Sequence, residues 1–143
     1  MTWNDYKRCL TLRYDQFIAE HQIRENQIDK DVRYEKITDV DRVQLGDGQY
    51  FYFKGDELKL IYLSAGKLAS KLWEEFKSGA EAGASRTVVR SRAGKTSNQI
   101  VFSEQGITAS VQGSDVDFIE IYPPQSLEDY QATIYREPKP FIR

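Results

Sequence analysis

Gly94-Lys95-Thr96 ends like a phosphate-binding P-loop, and no other string in the chain invites a chemical reading so directly. The full motif needs another glycine five positions before Gly94, where Val89 stands, together with a strand before and a helix after, so that consecutive backbone N–H groups can wrap a phosphate. Strand-forming Ile100-Val-Phe102 follows instead, and a charged hairpin turn is the reading that fits. Metal chemistry lacks raw material, because the chain holds one Cys and one His, whereas a zinc site takes about three or four ligands of these types. Cys9 and His21 fall on one expected helix, about 18 Å apart along its axis, too far to share a proton. Glu74 and Glu75 are adjacent on a helix and point in different directions, while Asp115 and Asp117 share a strand face beside a turn and look exposed. The expectation is a protein that is not an enzyme, with no catalytic residue, no metal and no cofactor.

Charge is distributed more informatively than any motif. Residues 85–114 carry Arg86, Arg90, Arg92 and Lys95 against Glu104, a net of +3. Residues 115–143 carry Asp115, Asp117, Glu120, Glu128, Asp129 and Glu137 against Arg136, Lys139 and Arg143, a net of −3. Strand alternation puts Arg86, Arg90 and Arg92 on one face with Val88. In a meander that keeps sequence order, the basic and acidic strands lie three spacings of about 4.8 Å apart, too far for direct ion pairs. The arginine row reads either as charge that protects a sheet edge or, with Lys95, as a patch for carboxylate or phosphate. The acidic set reads as a solvated face with a helix N-terminus, or as a docking surface for a basic partner. Among the aromatics, Tyr50 and Tyr52 alternate with Phe51 and Phe53 and lie on the opposite face, so one pair is expected to stay partly exposed and to serve an interface.

The elements that carry these residues are read from periodicity. Thr2 and Asp5 have capping-box spacing, and Trp3, Tyr6, Leu10, Tyr14, Phe17, Ile18 and His21 recur at intervals of three and four, which predicts one helix over 3–21. Residues 24–41 read as a connector with one short helix. Gln49–Lys54 and Leu58–Leu63 form a β-hairpin around Gly55-Asp56. Ser64 is the expected cap of a helix over 65–78 that Gly79 stops, with Lys67, Lys71, Glu74 and Lys77 facing outward. After the small-residue stretch Gly79-Ala-Glu-Ala-Gly-Ala84, expected to be flexible, come strands over 86–92, 98–103, 107–111 and 116–122. Their short connections favour an antiparallel meander. Pro123-Pro124 ends the last strand, Ser126 and Asp129 start a helix of about ten residues, and Pro138 and Pro140 keep the tail extended. The expected fold is α+β: N-terminal helix, β-hairpin, central helix, four-strand antiparallel meander and C-terminal helix, in a single domain over 1–143.

Composition bounds the rest. With 143 residues, 40% hydrophobic and 13% aromatic, at a net charge of −2, the chain is neither disordered nor low-complexity, and it lacks the basic excess of a nucleic-acid binder. The unpaired Cys9 fits a reducing compartment. No apolar run reaches the ~18 residues of a membrane span, and Asn4, Asp5, Lys7 and Arg8 stand where a signal peptide needs an apolar core. A cytoplasmic location is the expectation.

Val89-Arg-Ser-Arg-Ala-Gly-Lys-Thr-Ser-Asn-Gln-Ile-Val-Phe102, then Gly106-Ile107, Val116-Asp-Phe-Ile-Glu-Ile-Tyr-Pro-Pro124 and Leu127-Glu-Asp-Tyr130, resembles small bacterial immunity proteins that neutralise polymorphic toxins. The likeness covers roughly the C-terminal third and is one of general pattern (small, acidic, α+β, aromatic), with no motif that transfers named residues. It implies a cognate toxin that the protein would bind and block. The first functional expectation is therefore a protein-binding inhibitor whose Asp115, Asp117, Glu120, Glu128 and Asp129, with Tyr50 and Tyr52, meet a basic toxin domain. A second is a protein that binds a small phosphate or carboxylate ligand, or a minor enzyme, centred on Arg86, Arg90, Arg92 and Lys95. A third is a secretion chaperone.

Overall fold

The expected capping box forms at the N-terminus of the computed structural model, which describes residues 1–79 and 85–139. Thr2 Oγ1 accepts the Asp5 N–H at 3.1 Å, and the Asp5 carboxylate accepts the Thr2 N–H at 2.8 Å. Helix α1 spans Trp3–Cys9 and stops. A second helix, α2, spans Tyr14–Glu20, so the single helix expected over 3–21 is corrected to two. Capping groups make the break: Thr11 Oγ1 donates to the Arg8 carbonyl at 2.7 Å, and Gln16 Oε1 accepts the Arg13 N–H at 2.9 Å. Arg8 then meets Glu20 at 2.7 Å, although a straight helix would hold them about 18 Å apart. The axial separation argued for Cys9 and His21 falls with the straight helix.

The region expected as a connector is largely sheet. A short 3-10 turn at Glu25–Gln27 leads into β1 (Ile28–Tyr34) and β2 (Ile37–Gly46). Their high charge hid them, because β1 is an edge strand whose outward groups need not be apolar. The expected hairpin follows as β3 (Gln49–Lys54) and β4 (Glu57–Leu63), turning at Gly55 with φ +60. Helix α3 (Gly66–Ser78) has Ala65 as its N-cap rather than Ser64, whose N–H is held by the Gly48 carbonyl at 2.9 Å. Gly79 is its C-cap, and Lys67, Lys71, Glu74 and Lys77 are exposed as expected. The small residues at 80–84 and the expected extension at Pro140 lie outside the described residues.

The four-strand meander forms as β5 (Thr87–Arg90), β6 (Asn98–Phe102), β7 (Ile107–Gln112) and β8 (Asp115–Ile121). Helix α4 (Leu127–Thr133) starts where Ser126 Oγ accepts the Asp129 N–H at 3.1 Å, and has seven residues rather than about ten. Both meanders join one antiparallel sheet of eight strands in the order β1-β2-β3-β4-β8-β7-β6-β5. The seam is short: Ile61 faces Ile121, Tyr62 faces Glu120 and Leu63 faces Ile119. The fold is α+β, as expected.

Alternation sorts the sheet into two unlike faces. One is apolar: Phe51, Phe53, Ile61, Leu63, Ile119 and Ile121 pack with Trp3, Tyr6, Phe17, Leu72, Trp73 and Phe76 from α1 to α3. Each such fully buried large side chain is worth about 1.5–3 kcal/mol. The other face, under α4, is lined by Tyr34, Tyr52, Tyr122 and Tyr130 with Val40, Leu60, Val101 and Ile134.

Gly106 joins the halves of the β6–β7 connection at φ +74, where a Cβ would collide with the Tyr122 carbonyl oxygen. Gly106→Ala is expected to cost at least about 2 kcal/mol, and Gly55→Ala, whose Cβ would meet nothing within 4 Å, only about 1 kcal/mol. Urea midpoints decide this, and equal losses at the two positions would contradict it.

Candidate functional site

Glu120 is where the polar side chains of the second face converge. Because Ile119 and Ile121 must face α3, alternation turns Glu120 and Phe118 to the α4 side, and Glu120 is only 1% exposed. Tyr34 Oη donates to Glu120 Oε2 at 2.5 Å, and Tyr130 Oη donates to Oε1 at 2.6 Å. Each phenol is also an acceptor: Arg92 Nη2 donates to Tyr34 Oη at 2.6 Å, and Gln99 Nε2 to Tyr130 Oη at 3.2 Å. Arg92 lies 3.6 Å from Glu120 Oε2 and 3.2 Å from Glu35 Oε1. Its guanidinium sits 4.2 Å from the Phe118 ring centre and 5.0 Å from that of Tyr34, a cation–π arrangement strengthened by burial.

In a flat sheet β1 would stand about 19 Å from β8, so the contact between Tyr34 and Glu120 requires curling. Two register shifts between β1 and β2 and positive φ angles at Asp31, Glu35 and Asp39 supply it. The turn is tied to the end of α4 by the Lys36 N–H on the Ile134 carbonyl at 3.3 Å. Beneath α4, strand β7 contributes small polar groups. Thr108 Oγ1 is 2.8 Å from Tyr122 Oη, and Ser110 Oγ bonds Ser91 Oγ at 2.5 Å and Asp117 at 2.9 Å.

Burial pushes the Glu120 carboxyl up from its ordinary value, with Arg92 and the Tyr130 and Tyr34 hydroxyls pulling it back toward ionisation. Burial, then the Glu120 charge, pushes the Tyr34 phenol well above its own. These groups saturate one another, and the cluster acts as a clamp joining β1, β8, α4 and the β5–β6 turn. The helix-borne candidates stand apart from this cluster, and His21 Nε2 is buried with no hydrogen-bond partner among the described residues. Burial pushes the Cys9 thiol up to about 11, far from thiolate at neutral pH, and His21 packs on the Phe17 ring at 4.5 Å between centres.

The expected site residues are dispersed. Strand β5 ends at Arg90, so alternation lapses and the following turn swings Arg92 to the Glu120 face; Arg86, Arg90 and Arg92 do not form one row. Arg86, Arg90 and Lys95 stay exposed near the β5 edge, with Arg90 3.6 Å from Glu137. The separation expected between basic and acidic strands is also corrected, since Arg92 sits beyond its strand and its long side chain reaches Glu120 directly.

The acidic set is divided as well. Glu120 is interior, Asp117 is half-buried on Ser110, and Asp115 is exposed at the start of β8, while Glu128 and Asp129 are exposed beyond its other end, on α4. One strand of this length separates the two exposed groups by about 20 Å. Tyr52 is buried against Tyr34, whereas Tyr50 remains half-buried, stacked on Tyr62 under the Arg42 guanidinium. Sequence reasoning missed Tyr34, Glu35, Gln99 and Ser110; the alternation Ile107-Thr-Ala-Ser-Val111 carried a signal for a polar-lined face.

Among the described residues no group of His, Cys, Asp and Glu could hold a metal ion, and no helix is long and apolar enough to cross a membrane. No protein-family model, curated protein or solved structure matches the chain.

Arg92→Ala leaves the Glu120 charge uncompensated and is expected to cost about 3–5 kcal/mol at pH 7. A carboxyl raised on folding binds more protons folded than unfolded. Its stabilising contribution is therefore full below the unfolded value and lost as pH rises through the folded one. Losing Arg92 enlarges that rise, so the deficit against wild type should shrink as pH is lowered toward about 4. Urea titrations of both proteins across that window test this, and a deficit independent of pH would refute it.

Proposed function

We propose that the protein works by binding a protein partner along the outer edge of β5. The observation that carries this reading is Val88, 55% exposed on an outermost strand of the sheet. The Arg90 end of this edge is occupied, since Tyr135 Oη donates to the Arg90 carbonyl at 2.8 Å and Arg90 donates to the Lys139 carbonyl at 3.5 Å. The stretch at Val88 is open, and an open edge offers backbone N–H and C=O groups to an incoming strand where natural sheets usually blunt it. The opposite edge is blunted: β1 is broken by two register shifts, and Lys30 and Arg42 pair with Asp41 and Asp29 across it. Strand β5 is regular in its pairing with β6 from Thr87 to Arg90. Arg86, Arg90 and Lys95 flank it, which favours a partner segment with acidic side chains over the basic domain expected from the acidic set.

The resemblance of the C-terminal third to immunity proteins supports a toxin as the partner, blocked by direct contact. Capture from native cells tests the proposal. Wild-type protein should retain one protein stoichiometrically, and Val88→Lys, which places a charge on an already exposed position, should lose it while keeping the wild-type melting temperature. Equal retention by both proteins would overturn the edge assignment. A rise in melting temperature with phosphorylated metabolites and no retained protein would favour the small-anion reading.

A further inference from the structure

Three separate pieces of chain enclose a groove of about 560 Å³ on the opposite side of α4 from β5. Its apolar surface comes from Ile37, Pro123 and Ile134, and its cations are Lys36, Lys54 and Lys59. Among the described residues no carboxylate lines it. Lys36 Nζ donates to the Gln131 carbonyl at 2.7 Å, offsetting the negative C-terminal end of α4 without neutralising its own charge. Lys59 meets the exposed Glu57 at 2.5 Å, and none of the described residues pairs with the Lys54 ammonium. The groove therefore presents surplus positive charge above an apolar floor, in the size range of ligand sites.

We propose that this groove is a second docking site, and that its occupant is an acidic peptide segment of the protein partner: carboxylates flanking one apolar side chain. Charge complementarity identifies the occupant, with the apolar side chain resting on Ile37, Pro123 and Ile134 and the carboxylates meeting Lys36 and Lys54, the two cations with no carboxylate partner among the described residues. A phosphate group fits less well. A free phosphate would leave the apolar floor of Ile37, Pro123 and Ile134 unused, and α4 turns its C-terminal end, not its N–H groups, toward the groove. This inference rests on the protein-binding reading but uses residues separate from the β5 edge.

The test is an amide NMR titration at low salt with the peptide acetyl-Glu-Glu-Leu-Glu-Glu-amide, and in parallel with inorganic pyrophosphate. Shifts should be confined to Lys36, Ile37, Lys54, Lys59 and Ile134. Lys54→Glu, a change at an exposed side chain, should weaken peptide binding about tenfold by replacing an attraction with a repulsion, while Val88→Lys leaves it unchanged. Peptide shifts absent from the groove, or a Lys54→Glu variant that binds as well as wild type, would overturn the groove assignment and leave the β5 edge to be judged by its own variant. Pyrophosphate shifting the same amides as strongly as the peptide would replace the peptide by a small anion.

Discussion

A carboxylate buried at the middle of a sheet must be compensated, and Glu120 imposes that requirement on everything around it. Removing such a group from water costs several kcal/mol, and the charge is recovered from groups far apart in sequence: Arg92 from the turn after β5, Tyr34 from the end of β1 and Tyr130 from α4. Glu120 also faces Tyr62 across the seam between the two meanders. The same interaction therefore holds the halves of the sheet in register, curls the β1–β2 hairpin over the face and seats α4.

The two faces use different physics for the same end. The helix-covered face is closed by aromatic packing, such as Trp73 on Phe76 at 5.6 Å and Phe76 against Phe102 at 5.0 Å, stacked and edge-to-face contacts worth about 0.5–1.5 kcal/mol each beyond the area they bury. The α4 face is closed by hydrogen bonds whose donors and acceptors are individually matched, so that a misplaced member leaves a buried polar group unsatisfied. Charge spent inside this network is withdrawn from the surface. What remains outside is a cationic margin near β5, with exposed Val88, and the lysine-rimmed groove across α4.

Local signals were legible where one element decided its own structure. The Thr2/Asp5 box, the Gly55 turn, the α3 face of Leu72, Trp73 and Phe76, and the strands 87–121 follow from spacing and turn chemistry. Interactions between remote segments were not legible. Thr11 and Gln16 end one helix and begin another inside an unbroken apolar stripe, and only the Arg8–Glu20 contact reveals the fold-back. The stretch 24–41, which holds β1 and the first half of β2, carries the charge of an exposed edge and so reads as a connector. The charge map counted Arg92 and Glu120 correctly but gave them surfaces, because period-2 alternation holds only while a strand lasts and β5 ends at Arg90. The groove lysines, at 36, 54 and 59, belong to two different turns of the sheet and show no pattern along the chain.

Where Arg92 sits is measured most directly by its side-chain NMR signals at neutral pH. Inside the clamp, its Nε–H proton should be resolved, slow to exchange, shifted by the ring current of Phe118, and linked to that ring by nuclear Overhauser effects. An Nε–H signal averaged with those of exposed arginines, with no contact to Phe118, would place Arg92 on the surface and contradict the buried pairing with Glu120.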